Sequence, residues 1–352
     1  MKSIYISLIT LLLTTTAQAN ESMPLNNILF GSCSHQDKPK PIMAAINAEA
    51  PDLFIFLGDN IYADTTDMQK MATMYQKLGS DAGIQTLRQN TPVIAIWDDH
   101  DFGENDAGSE YPKKQQSKQL MLDFWHEPKD SIRRTQKDGV YTAYSYGSEE
   151  QRVQVIMPDL RWNRAPLNHV SREEYLQVRK PAKQGPYSAS NNPTASMLGE
   201  HQWQWLEQQL KKPAKIKIIA SSIQAIPEQS GWESWSNYPH DRKRLLKLIK
   251  QHKINGVVLI SGDTHWGEIS RYQQDVDYPL WEVTSSGLTE EWKDVSPNKY
   301  RVNDFTNSVN YGAININWSQ ADPEITLALK DINGATINQQ QLRLSTISPY
   351  PH

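Results

Sequence analysis

The 352-residue chain holds a single cysteine, Cys33, so no disulfide within it is available to brace the fold. Neither sign of charge prevails: 36 Lys and Arg stand against 40 Asp and Glu, for a formal charge of -4. That balance gives no electrostatic footing for nucleic acid or an anionic membrane as the main partner. Beyond the first residues no long apolar run occurs, so no transmembrane segment is expected. Two hydrolase signatures are also missing. Without a Gly-x-Ser-x-Gly elbow a serine hydrolase is disfavoured, and without His-Glu-x-x-His so is a zincin. Gly (17) and Pro (20) are too sparse for a collagen-like or low-complexity chain. What remains is ordinary for a folded protein, and 11 Trp and 15 Tyr supply bulk for a substantial core.

The first residues read as a signal peptide. Lys2 is followed by an apolar stretch from Ile4 to Leu13, and Ala17-Gln18-Ala19 has the small-x-small form that a signal peptidase accepts. Cleavage near Ala19 implies a periplasmic or secreted protein, with residues 20–352 as one domain. No early Cys suggests a lipid anchor. The oligomeric state is not legible.

Apolar runs at Asn27–Phe30, Leu53–Leu57, Val93–Trp97, Val153–Met157, Ile216–Ala220 and Val257–Ile260 lack alternation, as strands buried on both faces do. Helical spacing falls at 42–50, 198–210 and 241–251 between them. The alternation predicts an α/β fold, a sandwich of two sheets flanked by helices. From about residue 280 the chain is richer in strand, at 281–283, 313–318, 325–329 and 342–347, and this portion is expected to complete the sandwich. Residues 106–118 and 181–194 read as surface loops.

The chemistry lies where the strands end. Three runs discharge into Asp59-Asn60-Ile61-Tyr62, Asp98-Asp99-His100-Asp101 and Asp263-Thr264-His265, and a fourth delivers Cys33. Loops after the carboxyl ends of strands converge on one edge of such sheets. Each residue alone has a plainer reading: Asp59 as a turn or cap, His265 as a hydrogen-bonded core histidine. Gathered together, the carboxylates would repel one another unless cations neutralise them. Bound metal is the economical explanation.

The segments Gly31-Ser32-Cys33, Gly58 through Asp64, Trp97 through Asp106 and Ser261 through His265 resemble the PhoD-like alkaline phosphatases, a branch of the metallophosphatase superfamily. Pro158 through Arg164 and Ser221 through Gln224 follow the same pattern, and the likeness runs from about residue 28 to 290. It implies a metallophosphatase-type sandwich and a centre of Fe3+ and Ca2+, with Zn2+, Mn2+ or Co2+ as alternatives. Cys33, Asp59 and Tyr62 suit a transition ion and the carboxylates suit calcium. Asp59 is the candidate bridge, Asp99 a ligand, and Asp263 with His265 the last metal-binding pair. His35 is a weaker ligand candidate, and Gln224 a candidate polar lining residue.

The implied reaction is hydrolysis of a phosphate monoester or diester by a metal-activated water or oxide. His100 is the candidate proton donor or oxyanion stabiliser, and Arg161 and Arg164 are candidate phosphate forks, with a solvated or salt-bridged pair as their plainer reading. A phospholipase or polymer phosphodiesterase is the alternative within the superfamily, with Trp162, Trp232, Trp235 and Trp266 as an apolar mouth. A non-catalytic exported metal- or ligand-binding protein is the alternative of another class.

Overall fold

The computed structural model describes residues 22–350, so the expected signal peptide lies outside the described residues. The first three apolar runs form strands β1 (Asn27–Gly31), β2 (Leu53–Leu57) and β3 (Val93–Ile96), paired in parallel. Every residue of β2 is buried, as its unbroken apolar sequence requires. Next come β4 (Thr142–Tyr146), β5 (Val153–Met157) and a two-residue hairpin of β6 (Asn168–His169) and β7 (Tyr187–Ser188). After them run β8 (Ile216–Ala220), β9 (Val257–Ser261), β10 (Gly267–Tyr272) and β11 (Leu280–Ser285). The chain closes with β12 (Asn310–Asn317), β13 (Glu324–Asp331) and β14 (Thr336–Arg343).

Two mixed six-stranded sheets result, ordered β14-β13-β12-β1-β2-β3 and β10-β11-β9-β8-β5-β4. The strand-rich end of the chain is divided between them: β11 pairs in parallel with β9, whereas β12 pairs antiparallel with β1. Helices cover the sheets by burying one stripe each. Met68–Ser80 is capped by Asp67, which accepts from the backbone N–H groups of Gln69 and Lys70. Gly199–Lys211 buries Trp203, Leu206 and Leu210, and Pro239–Gln251 buries Leu245, Leu248 and Ile249.

Some boundaries depart from the sequence reading. Residues 106–118 are not all loop, because a helix occupies Lys114–Phe124; its first half is polar, and its apolar signal begins only at Leu120. The expected strand over 342–347 stops at Arg343, and Leu344–Ile347 is a short 3-10 helix. Strand β4 escaped notice because it is a half-exposed edge, and β10 because it buries Glu268 and Ser270 where an apolar residue would mark a strand.

Gly58 joins β2 to the polar cluster with φ +100°, and a Cβ there would press into Asp98, within 2.7 Å of its backbone nitrogen. Gly58→Ala therefore meets both a backbone penalty and a clash. It is expected to destabilise the protein by about 1–3 kcal/mol or more and to weaken cation binding. Thermal melts with and without added metal measure both; a variant that melts like the parent contradicts the reading.

Candidate metal centre

The parallel strands of both sheets release their carboxyl ends at one edge. From the first sheet, β1 leads to Cys33, β2 to Asp59 and Tyr62, and β3 to Asp98 through Asp101. From the second, β9 leads to Asp263 and His265, β8 to Ser222, and β11 to Ser286. Backbone bonds stitch these loops together: Ser34 N–H donates to Asp59 O at 2.9 Å, and Gly262 N–H to Ser222 O at 3.0 Å. Cys33, Asp59, Asp263 and His265 all sit in the left-handed region, with φ of 63°, 49°, 72° and 61°. Residues with a Cβ rarely adopt it, and strain of this kind gathers at functional sites.

Ligand atoms of Cys33, Asp59 and His265 lie within 4.8 Å of one another, and so do those of Asp59, Asp98, Asp99 and Asp263. Asp59 belongs to both groups. The Cys33 thiol reaches Asp59 Oδ2 at 3.3 Å, and Tyr62 Oη is 3.1 Å from His265 Nε2. A serine secures this corner. Ser286 Oγ accepts the His265 N–H at 2.8 Å, which leaves its own hydrogen for Cys33 Sγ at 3.1 Å. Burial pushes the Cys33 thiol up to about 12 and holds the His265 imidazole neutral, down to about 4.

The carboxylates supply the test of fit. Asp59 Oδ1, Asp98 Oδ2 and Asp99 Oδ1 are buried without a hydrogen-bond partner. Leaving such acceptors unsatisfied is costly, so the donor set calls for cations. Burial raises Asp59, reinforced by Cys33 and Asp99, and raises Asp263, reinforced by Asp98 and Glu233. Asp98 rises to about 6 by burial despite Arg161. Burial also works to raise Asp99, but the charges of His100 and Arg161 hold it below the usual carboxylate range. Thiol, phenol and neutral imidazole beside carboxylates suit a transition ion, and the carboxylate group suits a hard cation.

His100 Nδ1 pairs with Asp64 Oδ1 at 2.7 Å, leaving its other ring nitrogen available to a ligand. Burial works against its charge, yet Asp99, Asp59 and Asp64 together raise it to about 11. Arg161 and Arg164 take a different place from the one expected of phosphate forks. Arg161 is fully buried, with Nε on Asp98 at 2.5 Å and Nη1 on both oxygens of Glu233 at 2.8 Å. Arg164 meets the same Glu233 at 2.7 Å. Neither lines the cavity over the cluster. Asp101 turns inward, accepting the N–H groups of Asp98 at 2.7 Å and Asp59 at 3.2 Å and the Asn60 amide.

Other expectations are redistributed. His35 stands outside the cluster, stacked on Tyr62 at 4.9 Å. Gln224 is buried against Glu268 and Thr284 and does not line the cavity. Trp235 and Trp162 belong to the core, the first donating to Ser221 Oγ at 3.0 Å, the second stacked on Trp97. Trp232 and Trp266 do line the cavity, together with Trp292. Sequence reasoning gave no role to Asp64, Asp106, Glu233 or Ser286. Asp64 and Asp106 close two of the quoted motifs, and Ser286 lies in the polar run Thr284-Ser285-Ser286 at the end of β11, a strand-end signal like the others; Glu233 follows no such pattern.

A two-sheet α/β sandwich with acidic, imidazole and thiol groups at its shared edge defines the metallophosphatase class of fold. Residues 28–328 match the model of the PhoD-like phosphatase family, and the chain belongs to that family. Alkaline phosphatase D of Bacillus subtilis is 27% identical over 68% of this chain and 45% of its own length, so the chain spans less than half of that relative. A solved structure of PhoD superposes with a TM-score of 0.67 at 17% identity, over 94% of this chain and 70% of that one. A dimetal phosphatase from Danio rerio gives 0.53 at 12%, over 91% and 99%. GAP50, described as the anchor in the inner membrane complex of Plasmodium, gives 0.55 at 13%, over 91% and 89%.

The raised carboxyls set a pH dependence. Asp98 (about 6), Asp101 (about 7) and Asp106 (about 8) each hold a proton more tightly folded than unfolded. Their contribution is full below the unfolded carboxyl range and is lost as pH rises through those values. His100, raised to about 11, has the same sign over a higher window, whereas His265 favours the fold only above its own range. Metal-stripped protein should therefore lose melting temperature between pH 6 and pH 8, and added metal should restore more at pH 8 than at pH 6. A metal effect independent of pH would contradict the cluster's assignment.

Proposed function

We propose that this protein is a metal-dependent phosphoester hydrolase. The observation that carries the reading is the buried carboxylate group of Asp59, Asp98, Asp99 and Asp263, each offering an oxygen within 4.8 Å of the others, with an oxygen on each of Asp59, Asp98 and Asp99 that accepts no hydrogen bond. Cys33, Asp59, Tyr62 and His265 would hold Fe3+, and Asp59, Asp99 and Asp263 would hold Ca2+, with Asp59 shared. Zn2+, Mn2+ or Co2+ are the alternatives where carboxylate and imidazole dominate. When bound, the cations offset the charge of the phosphoryl oxygens and activate the attacking water.

The chain's own residues do the rest. His100, held by Asp64, presents a protonated ring to the cavity and delivers its proton to the departing alkoxide. Neutralising Asp59 and Asp99 removes the field that keeps His100 so basic, which brings it toward a range where it can give the proton up. Arg161 and Arg164 serve as positioning residues: through Glu233 and Asp98 they fix the β3 loop from beneath and leave phosphate binding to the cluster.

The fold alone does not carry this conclusion, since a sandwich of the same kind serves as an anchor in Plasmodium. The complete donor set favours the hydrolase over a non-catalytic binding protein. We further take the protein to be exported after cleavage near Ala19. None of the helices among the described residues is long and apolar enough to cross a membrane. Residues 20–352 are taken as one catalytic domain, supported by the way β11 and β12–β14 are shared between the two sheets.

Asp59→Asn is expected to abolish metal uptake, read by elemental analysis, and turnover with it; normal activity in that variant defeats the assignment. His100→Asn should cost about 10²–10⁴-fold with an alkyl ester, whose leaving group needs a proton, and far less with a nitrophenyl ester. An equal loss on both would remove His100 from the role of proton donor.

A further inference from the structure

The cavity over the cluster, about 200 Å³, has two kinds of lining. Asp99, Asp263 and other carboxylates and histidines supply one; Trp232, Trp266 and Trp292 supply the other. Trp232 and Trp292 meet nearly at right angles, 81° between planes with centroids 5.6 Å apart, and make an indole corner. Both are anchored through their backbones. Trp292 N–H donates to His265 O at 3.0 Å, which ties this wall to the loop of a candidate ligand. The segment before Trp232 is gripped by the β6–β7 hairpin, where Gly185 N–H donates to Ser230 O and Tyr187 N–H to Gly231 O, each at 2.8 Å. Trp292 nevertheless remains 39% exposed, a large apolar surface left open at the mouth.

Resting on the phosphoester reading, we infer that Trp232 and Trp292 bind the organic substituent of the ester and select a planar aromatic group. A ring placed in the corner stacks on one indole and meets the other edge to face, the two arrangements aromatic pairs prefer. No Lys or Arg lines the cavity, and its cationic ring, His100, is assigned to the departing oxygen, so a second anionic group on the substituent would find no further cationic side chain there. The preferred ligand is thus a phosphate carrying one uncharged aryl substituent, its phosphoryl oxygens toward Asp99 and Asp263 and its ring toward the tryptophans. An apolar cavity of about 150 Å³ accommodates benzene, so the space suffices for a ring partly inside and partly at the open mouth.

The test measures binding of phenyl-, cyclohexyl- and methylphosphonate to the metal-loaded full chain by calorimetry, with turnover of p-nitrophenyl esters followed separately. Phenylphosphonate should bind roughly three- to tenfold more tightly than the methyl compound, with the cyclohexyl compound between them. Trp292→Ala and Trp232→Ala should each erase most of that preference, and Trp292→Phe should keep much of it. Equal affinity for phenyl and methyl, a cyclohexyl compound that binds as well as phenyl, or a preference that survives both alanine variants would overturn the inference. A tryptophan-dependent phenyl preference without ester turnover supports the inference while refuting the hydrolase reading. Turnover without any phenyl preference does the reverse.

Discussion

Buried negative charge at the shared edge of the two sheets is the constraint around which this structure is arranged. Asp59, Asp98 and Asp99 are all but withdrawn from water, and Asp263 faces them. A carboxylate in such surroundings must lose its charge, find a cation or distort the fold. Asp98 is matched by Arg161, and Glu233 by Arg161 and Arg164 together. Asp59 and Asp263 have no such partner, and both are pushed toward the protonated state. The arginines thus stabilise the base of the site and leave its upper half short of positive charge. That shortage links the fold to the proposed chemistry.

Local backbone geometry bears on the same place. Of the twelve non-glycine residues with positive φ among those described, six, Cys33, Asp59, Asp64, Asp106, Asp263 and His265, belong to the cluster or its loops, and the others lie elsewhere. Such conformations persist only where the surroundings over-determine them. Asp101 provides part of that surrounding by binding the N–H groups of Asp59 and Asp98 at once. Ser286 provides another part from the opposite sheet, touching Cys33 and His265 together. The two sheets are therefore joined at the site by side chains that would not themselves be ligands.

Much of this is legible in the amino-acid sequence. Unalternating runs such as Leu53–Leu57 announced buried parallel strands, and polar clusters directly after them announced a shared edge. Cys33, Asp59, Tyr62, Asp99, His100, Asp263 and His265 do come together there. What is harder to read has a shared physical origin. Arg161 and Arg164 read either as forks for phosphate or as a salt-bridged pair, because sequence shows a donor but not the carboxylate already facing it, here Glu233 from a distant loop. Trp235 and Trp162 looked like a mouth because an indole in the core and one in a wall read alike. Strand β10 was hidden by buried polar side chains, whose partners, Gln224 and Arg301, are remote in sequence.

A fold of this kind also occurs in a protein described as the anchor in the inner membrane complex of Plasmodium, so the fold alone cannot distinguish a catalytic protein. In this chain the distinction would lie in orphaned oxygens aimed at a common point, a histidine tethered by Asp64, and a cavity that opens to solvent beside Trp292. Remove the need for cations and there is no reason to keep strained backbone at four candidate ligands or a lone thiol in the core. Backbone of this kind persists where its surroundings over-determine it, as Asp101 does for Asp59 and Ser286 for His265.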